Sequence, residues 1–177
     1  MKPVFHLFWQ LCRLQKGPQD VPYSPILLLL LVLALLSLSG LIVLLLDPDY
    51  LQYKMLGSGV AILSWGALLF VILRFKRAES RFIQTMTACM GTDLIISALG
   101  VPLQFGVMGL SQESLAGNLF RFALLGLIIW DILIKGRIYS AAMEVGRIQG
   151  NLLSLLIWLS VLSISYRFLP EAAQSAQ

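Results

Sequence analysis

The stretch RFIQTMTACMGTDLIISALGVPLQ at residues 81–104 is apolar enough and long enough to cross a bilayer, yet it carries an aspartate, Asp93, near its middle. An ionised carboxylate at that depth has to be paired, hydrated or protonated, so the groups that surround Asp93 constrain the arrangement of the remaining chain. Four further apolar runs accompany it. With 58% hydrophobic and 12% charged residues, against roughly 25% charged in soluble domains, the chain reads as an integral membrane protein. Its 177 residues leave room for about four to six spans of ~20 residues and no sizeable soluble domain, which excludes most soluble enzyme folds.

Residues 3–16, PVFHLFWQLCRLQK, place His6, Gln10, Arg13 and Lys16 on one helical stripe and apolar side chains over the rest. This predicts an amphipathic helix at the membrane interface, or one docked on the protein's own bundle. Gly17 followed by Pro18 is read as its stop, the glycine taking the left-handed cap. Residues 17–25, GPQDVPYSP, form a linker, and Ser24 with Pro25 sets the start of the first span. That span is a retained anchor, since its apolar run is longer than a signal-peptide core, begins far from Met1 and lacks an Ala-x-Ala site.

The expected spans are 26–46, 56–75, 82–107, 115–134 and 148–168, preceded by a segment at 1–24 and followed by a polar tail at 169–177. The first, nearly pure leucine, isoleucine and valine, is expected to face lipid. Gly57, Gly59, Ala61, Ser64, Gly66 and Ala67 mark the second as buried between neighbours. Gly100 and Pro102 are expected to kink or break the third. The fold class is therefore an all-α integral membrane protein, five transmembrane helices preceded by an interfacial amphipathic helix; a four-span alternative would make the third stretch re-entrant.

With the amino terminus cytoplasmic, the inner segments hold Lys2, Arg13, Lys16, Arg74, Lys76, Arg77, Arg81, Lys135, Arg137 and Arg147, ten of the 13 basic residues. Only Lys54, Arg121 and Arg167 remain outside, as the positive-inside rule requires of five spans. The same distribution accounts for the net charge of +4 and the pI near 9.3 without nucleic-acid binding. The carboxyl terminus then lies on the outer side.

Asp93 lies about ten residues into its span, ~15 Å deep. Taking Lys135 as the inner surface places Arg121 ~21 Å up the antiparallel fourth span, a gap of ~6 Å that an arginine can bridge. An Asp93–Arg121 pair supported by Thr92 and Ser97 is the expected intramembrane polar site, either as a structural fastening, a ligand or partner site, or a proton or ion pathway. Asp131 and Lys135 are spaced to pair along one helix face near the cytoplasmic surface. Ala142, Gly146, Gly150 and Ser154 recur every fourth residue, a ladder for close packing on an internal neighbour or a second copy.

Cys12 and Cys89 show neither disulfide nor zinc spacing, and lone His6 has no carboxylate or second ligand near it in sequence. No phosphate-binding glycine loop, HExxH or serine–histidine arrangement is present, so no catalytic residue, metal or cofactor is expected.

An amino-terminal segment, five closely spaced spans, the basic turn into RFIQTMTACMGTDLIISALGVPL, and IIWDILIKGRI followed by AAMEVGRIQGNLLSLLIWLSVL together resemble the Yip family of Ypt-interacting membrane proteins, particularly its short bacterial members, over residues 5–168. The resemblance implies a non-enzymatic scaffold or partner-binding protein of a bacterial-type inner membrane that acts in membrane organisation. Eukaryotic members work with Rab-type GTPases through a long cytosolic amino-terminal region, which the short segment ahead of the first span is not expected to supply. A protein partner or a homo-oligomer is accordingly expected besides the lipid bilayer. The alternative is a small transporter or channel subunit that uses the intramembrane charges.

Overall fold

The structure, a computed structural model, describes residues 2–46, 48–108, 110 and 114–167, and all regular elements among them are helical. In order they are α1 (Lys2–Cys12), α2 (Pro25–Leu46), α3 (Leu51–Phe75), α4 (Phe82–Met108), α5 (Leu115–Met143) and α6 (Arg147–Tyr166). The last five are long and apolar enough to cross a membrane, so the protein has the architecture of an all-α multi-pass membrane protein. Phe168 and the tail at 169–177 lie outside the described residues.

The five spans close into a ring in the order α2, α4, α5, α6, α3, with α3 packed back on α2. Short connections alternate the chain between two ends. One end carries the linker before α2 and the α3–α4 and α5–α6 turns; the far end carries the α2–α3 and α4–α5 connections. α2 buries only Leu31 and Leu35 and presents Leu29, Leu30, Leu33, Leu41, Leu44 and Leu45 outward, the surface a lipid-facing helix needs. α4 is the most enclosed span, with Thr85 through Thr92 all buried.

Three sequence expectations change. α4 is continuous through Pro102, so the span is not broken there; neighbouring helices make such a proline tolerable within a membrane bundle. α5 continues to Met143 rather than ending at 134, so what looked like a polar loop after Lys135 is a further two turns of helix. Gly57 and Gly59 of α3 do not bring backbones together: side chains added there would meet nothing within 4 Å. Gly57, Ser58 and Ala61 instead border open space inside the ring.

α1 docks on α4 and α5. The Phe8 ring fills the position a Cβ on Gly91 would occupy, Leu11 and Cys12 are buried, and Trp130 Nε1 donates to the Cys12 carbonyl at 3.1 Å. His6 stays on the exposed side, with Gln10 at 2.9 Å. The stop differs from expectation, because Gly17 has extended backbone (φ −121°) and Leu14 takes the left-handed position (φ 60°). Gln15 N and Leu14 N then bond the carbonyls of Gln10 and Leu11, a Schellman closure. Arg77 and Glu144 end α3 and α5 in the same left-handed conformation, which costs a non-glycine residue on the order of 1–3 kcal/mol. Arg81 spans these two turns, donating to the Ala142 carbonyl at 3.1 Å and to Glu144 Oε1 at 2.8 Å.

The Ala142–Gly146–Gly150–Ser154 ladder is split by that turn. Ala142 belongs to α5, and Gly146 is the exposed N-cap of α6. Gly150 and Ser154 remain on one buried face, and the close approach is between α5 and α6, where Gly150 rests on the Gly136 carbonyl.

Candidate functional site

Asp93 does not pair with Arg121. Its Oδ1 lies 2.8 Å from Lys135 Nζ, and the same ammonium sits 2.6 Å from Asp131 Oδ2. The side chains of Asp93, Asp131 and Lys135 are 18%, 12% and 12% exposed, so the triad is an interior feature. Arg121 donates to Asn118 Oδ1 on its own helix at 3.0 Å. The expectation failed because Lys135 was placed at the membrane surface. α5 runs eight residues beyond it to Met143, ~12 Å of helix, and the ammonium turns inward. Thr92 gives no support to Asp93 either, since its hydroxyl bonds back to the Ala88 and Cys89 carbonyls, a common use of threonine inside a helix. The Asp131–Lys135 pair expected from their spacing is formed.

Two aromatic side chains complete the cluster. Lys135 Nζ stands 4.4 Å from the centre of the Trp65 ring, within cation–π range, and Trp65 Nε1 donates to Tyr139 Oη at 2.7 Å. Asp131, Lys135 and Tyr139 recur every fourth residue of α5 and therefore share one face. That spacing was the available signal for Tyr139; nothing in the sequence tied Trp65 to it.

The cluster heads a lumen on the ring axis. A cavity of about 240 Å³ is lined from all five spans, including Ser39 of α2, Trp65 of α3, Asp93 and Ser97 of α4, Lys135 of α5 and Ser154 of α6. It shares Ser39, Ser58, Ala61 and Ser97 with a second cavity of about 520 Å³ that continues past Gln104 and Ser165 to Lys54, near the far end of α3. A side cavity of about 430 Å³ between α4, α5 and α6 reaches Asp131 and again includes Ser97. Toward the opposite end the interior is closed: Leu69 and Leu73 follow Trp65 at four-residue spacing on α3 and are fully buried, as are Ile138 and Tyr139 on α5. Trp65 lies ten residues from the end of α3 at Phe75, ~15 Å and so near the middle of a ~30 Å core.

Among the described residues, the buried Asp131 Oδ1, Ser154 Oγ and Ser165 Oγ have no hydrogen-bond partner, and each belongs to a residue lining one of these cavities. Buried polar atoms are costly without partners, so atoms placed this way call for hydrogen-bonding groups in the lumen and its side cavity. Its volume is well above the ~10–15 Å³ that one water requires. No group of three His, Cys, Asp or Glu side chains suited to a metal ion occurs among the described residues. No family model matches the chain, and no curated protein or solved structure shows significant similarity to it.

Proposed function

We propose that the protein is a non-enzymatic membrane protein of the transporter or channel-subunit kind, which binds a small cation, a proton or a protonated amine, at Asp93, Asp131 and Lys135. The observation that carries this reading is the charge count at the head of the lumen: two carboxylates face one ammonium. With all three ionised, one negative charge is left without a counter-ion in a low-dielectric interior. A cation arriving along the lumen supplies it at Asp93, and Asp131 Oδ1, on the side cavity that also reaches Ser97, supplies a hydrogen-bond acceptor from the α5 side. Ser39, Ser58, Ser97 and Gln104 give the route from the far end a polar lining. The test is proton flux into liposomes containing the purified protein and a trapped pH-sensitive dye, under an imposed potential. Flux above that of empty liposomes, lost in Asp93→Asn while the variant still elutes as one species, supports the reading. Wild-type liposomes as tight as empty ones, with proton or methylammonium gradients alike, would rule it out.

A second reading is the Yip-type scaffold with a protein partner or a second copy, favoured by the order of a docked amino-terminal helix followed by five spans. A partner retained in mild detergent with no flux in liposomes would select it. Under either reading we place the protein in a bacterial-type inner membrane with the amino terminus cytoplasmic. Support comes from Arg13, Lys16, Arg74, Lys76, Arg77, Arg81, Arg137 and Arg147, which belong to the segments at or near one end of the ring.

A further inference from the structure

A separate cavity, of about 190 Å³, lies away from the lumen, where the linker after α1 crosses α5 and the start of α6. Lys16, Arg137 and Arg147 line it, with Asp20 as the one acidic side chain there among the described residues. The Asp20 carboxylate is engaged by Gly17 N at 3.0 Å. The three cations come from separate elements, so the tertiary fold gathers them. Arg147 is the first residue of α6, whose unpaired amide hydrogens at the N-terminus add to the positive field. Directly after it α6 exposes Ile148 (77%) and Leu152 (56%), an apolar surface suited to an acyl chain. From this we infer that the cavity binds the phosphodiester headgroup of an anionic phospholipid, with the lipid's tails lying along α6. Guanidinium groups suit this anion because they offer paired donors to phosphate oxygens, and basic pockets between spans at a membrane surface are suited to such headgroups. The position at the start of a span favours a lipid over a free phosphate. The inference is independent of what the lumen carries.

The experiment is native mass spectrometry of the full chain, released from mild detergent after mixing with equal amounts of phosphatidylglycerol and phosphatidylcholine of the same acyl composition. The wild type should retain phosphatidylglycerol preferentially. Arg137→Gln with Arg147→Gln should cut that preference roughly tenfold or more, while Arg74→Gln with Lys76→Gln, basic residues that do not line the cavity, should leave it unchanged. Lys16→Gln, outside any α-helix, should lower it severalfold and provides the test where the double variant does not fold. Equal retention of the two lipids, an equal loss in the Arg74/Lys76 control, no change in Lys16→Gln, or displacement of phosphatidylglycerol by millimolar inorganic phosphate would each overturn the assignment.

Discussion

Lys135 on α5 approaches Asp93 on α4 to 2.8 Å while holding Asp131, one turn earlier on its own helix, at 2.6 Å. A single ammonium thus serves two carboxylates on two spans and adds an ion pair to the α4–α5 contact.

Removing that charge should be costly. Lys135→Met leaves Asp93 and Asp131 without their common partner in an interior site, and breaking a buried pair on one side costs ~3–5 kcal/mol. Asp93→Asn removes the surplus negative charge, keeps an amide oxygen for the ammonium and leaves the Lys135–Asp131 pair in place, so it should cost far less, within about 1 kcal/mol. Exchanging charges between Asp93 and Lys135 should recover part of the loss, whereas Asp93→Arg with Arg121→Asp should recover none. Unfolding in mixed dodecylmaltoside and sodium dodecyl sulfate micelles reads these differences. Rescue by the Arg121 exchange would refute the pairing.

The spans were legible because apolar runs of bilayer length have few other uses, and Asp93 stood out because a carboxylate is expensive there. Its partner was not legible. Choosing between Arg121 and Lys135 required knowing how far α5 continues, and RIYSAAM after Lys135 and Gly136 contains no glycine or proline to end a helix. The left-handed residues that do end helices here are Leu14, Arg77 and Glu144, none of which announces that role by residue type. The small-residue ladder misled for a related reason: spacing by four has meaning only within one helix, and Glu144 separates Ala142 from Gly150. The lumen was hidden because small residues on α3 serve equally for close packing and for leaving space, and only the ring arrangement distinguishes the two.

Cys12, outside the spans, offers a pH test of α1 docking. The thiol is fully buried; that burial, followed by the charges of Asp131 and Asp93, pushes its pKa up from 9.0 to about 12. At pH 8 the thiolate is then far scarcer than in the unfolded chain, and maleimide labelling should be strongly slowed, because the thiolate is the nucleophile. Linkage gives the sign. Below pH 9 both states hold the proton; between about 9 and 12 the unfolded state releases it first, so this contribution to stability falls as pH rises. Cys12→Ala should have a shallower decline than the wild type across that interval. Rapid labelling at pH 8 in the folded protein would mean that α1 is not docked as described.

The α5–α6 contact can be tested by adding one carbon atom at a time. A Cβ on Gly150 would strike the Gly136 carbonyl oxygen, with Ser140 Cβ at 2.9 Å and Ser140 N at 3.1 Å. Two of those three neighbours are backbone and the third is tied closely to it, so none can rotate away. Gly150→Ala should therefore destabilise by roughly 1–3 kcal/mol, the range for overpacking. Gly136→Ala should act similarly, because its Cβ would meet Asn151 Cα at 2.8 Å. Gly126, on the same helix as Gly136, has nothing within 4 Å of an added Cβ; Gly126→Ala should be neutral or stabilising by about 0.5–1 kcal/mol, the gain in helix preference. Measured in the same micelles, an unchanged Gly150→Ala beside an unchanged Gly126→Ala would place the close approach elsewhere. A loss confined to Gly136→Ala and Gly150→Ala would locate it where the two backbones meet, at the residue next to Lys135, so that loosening this contact should also loosen the triad that Lys135 holds together.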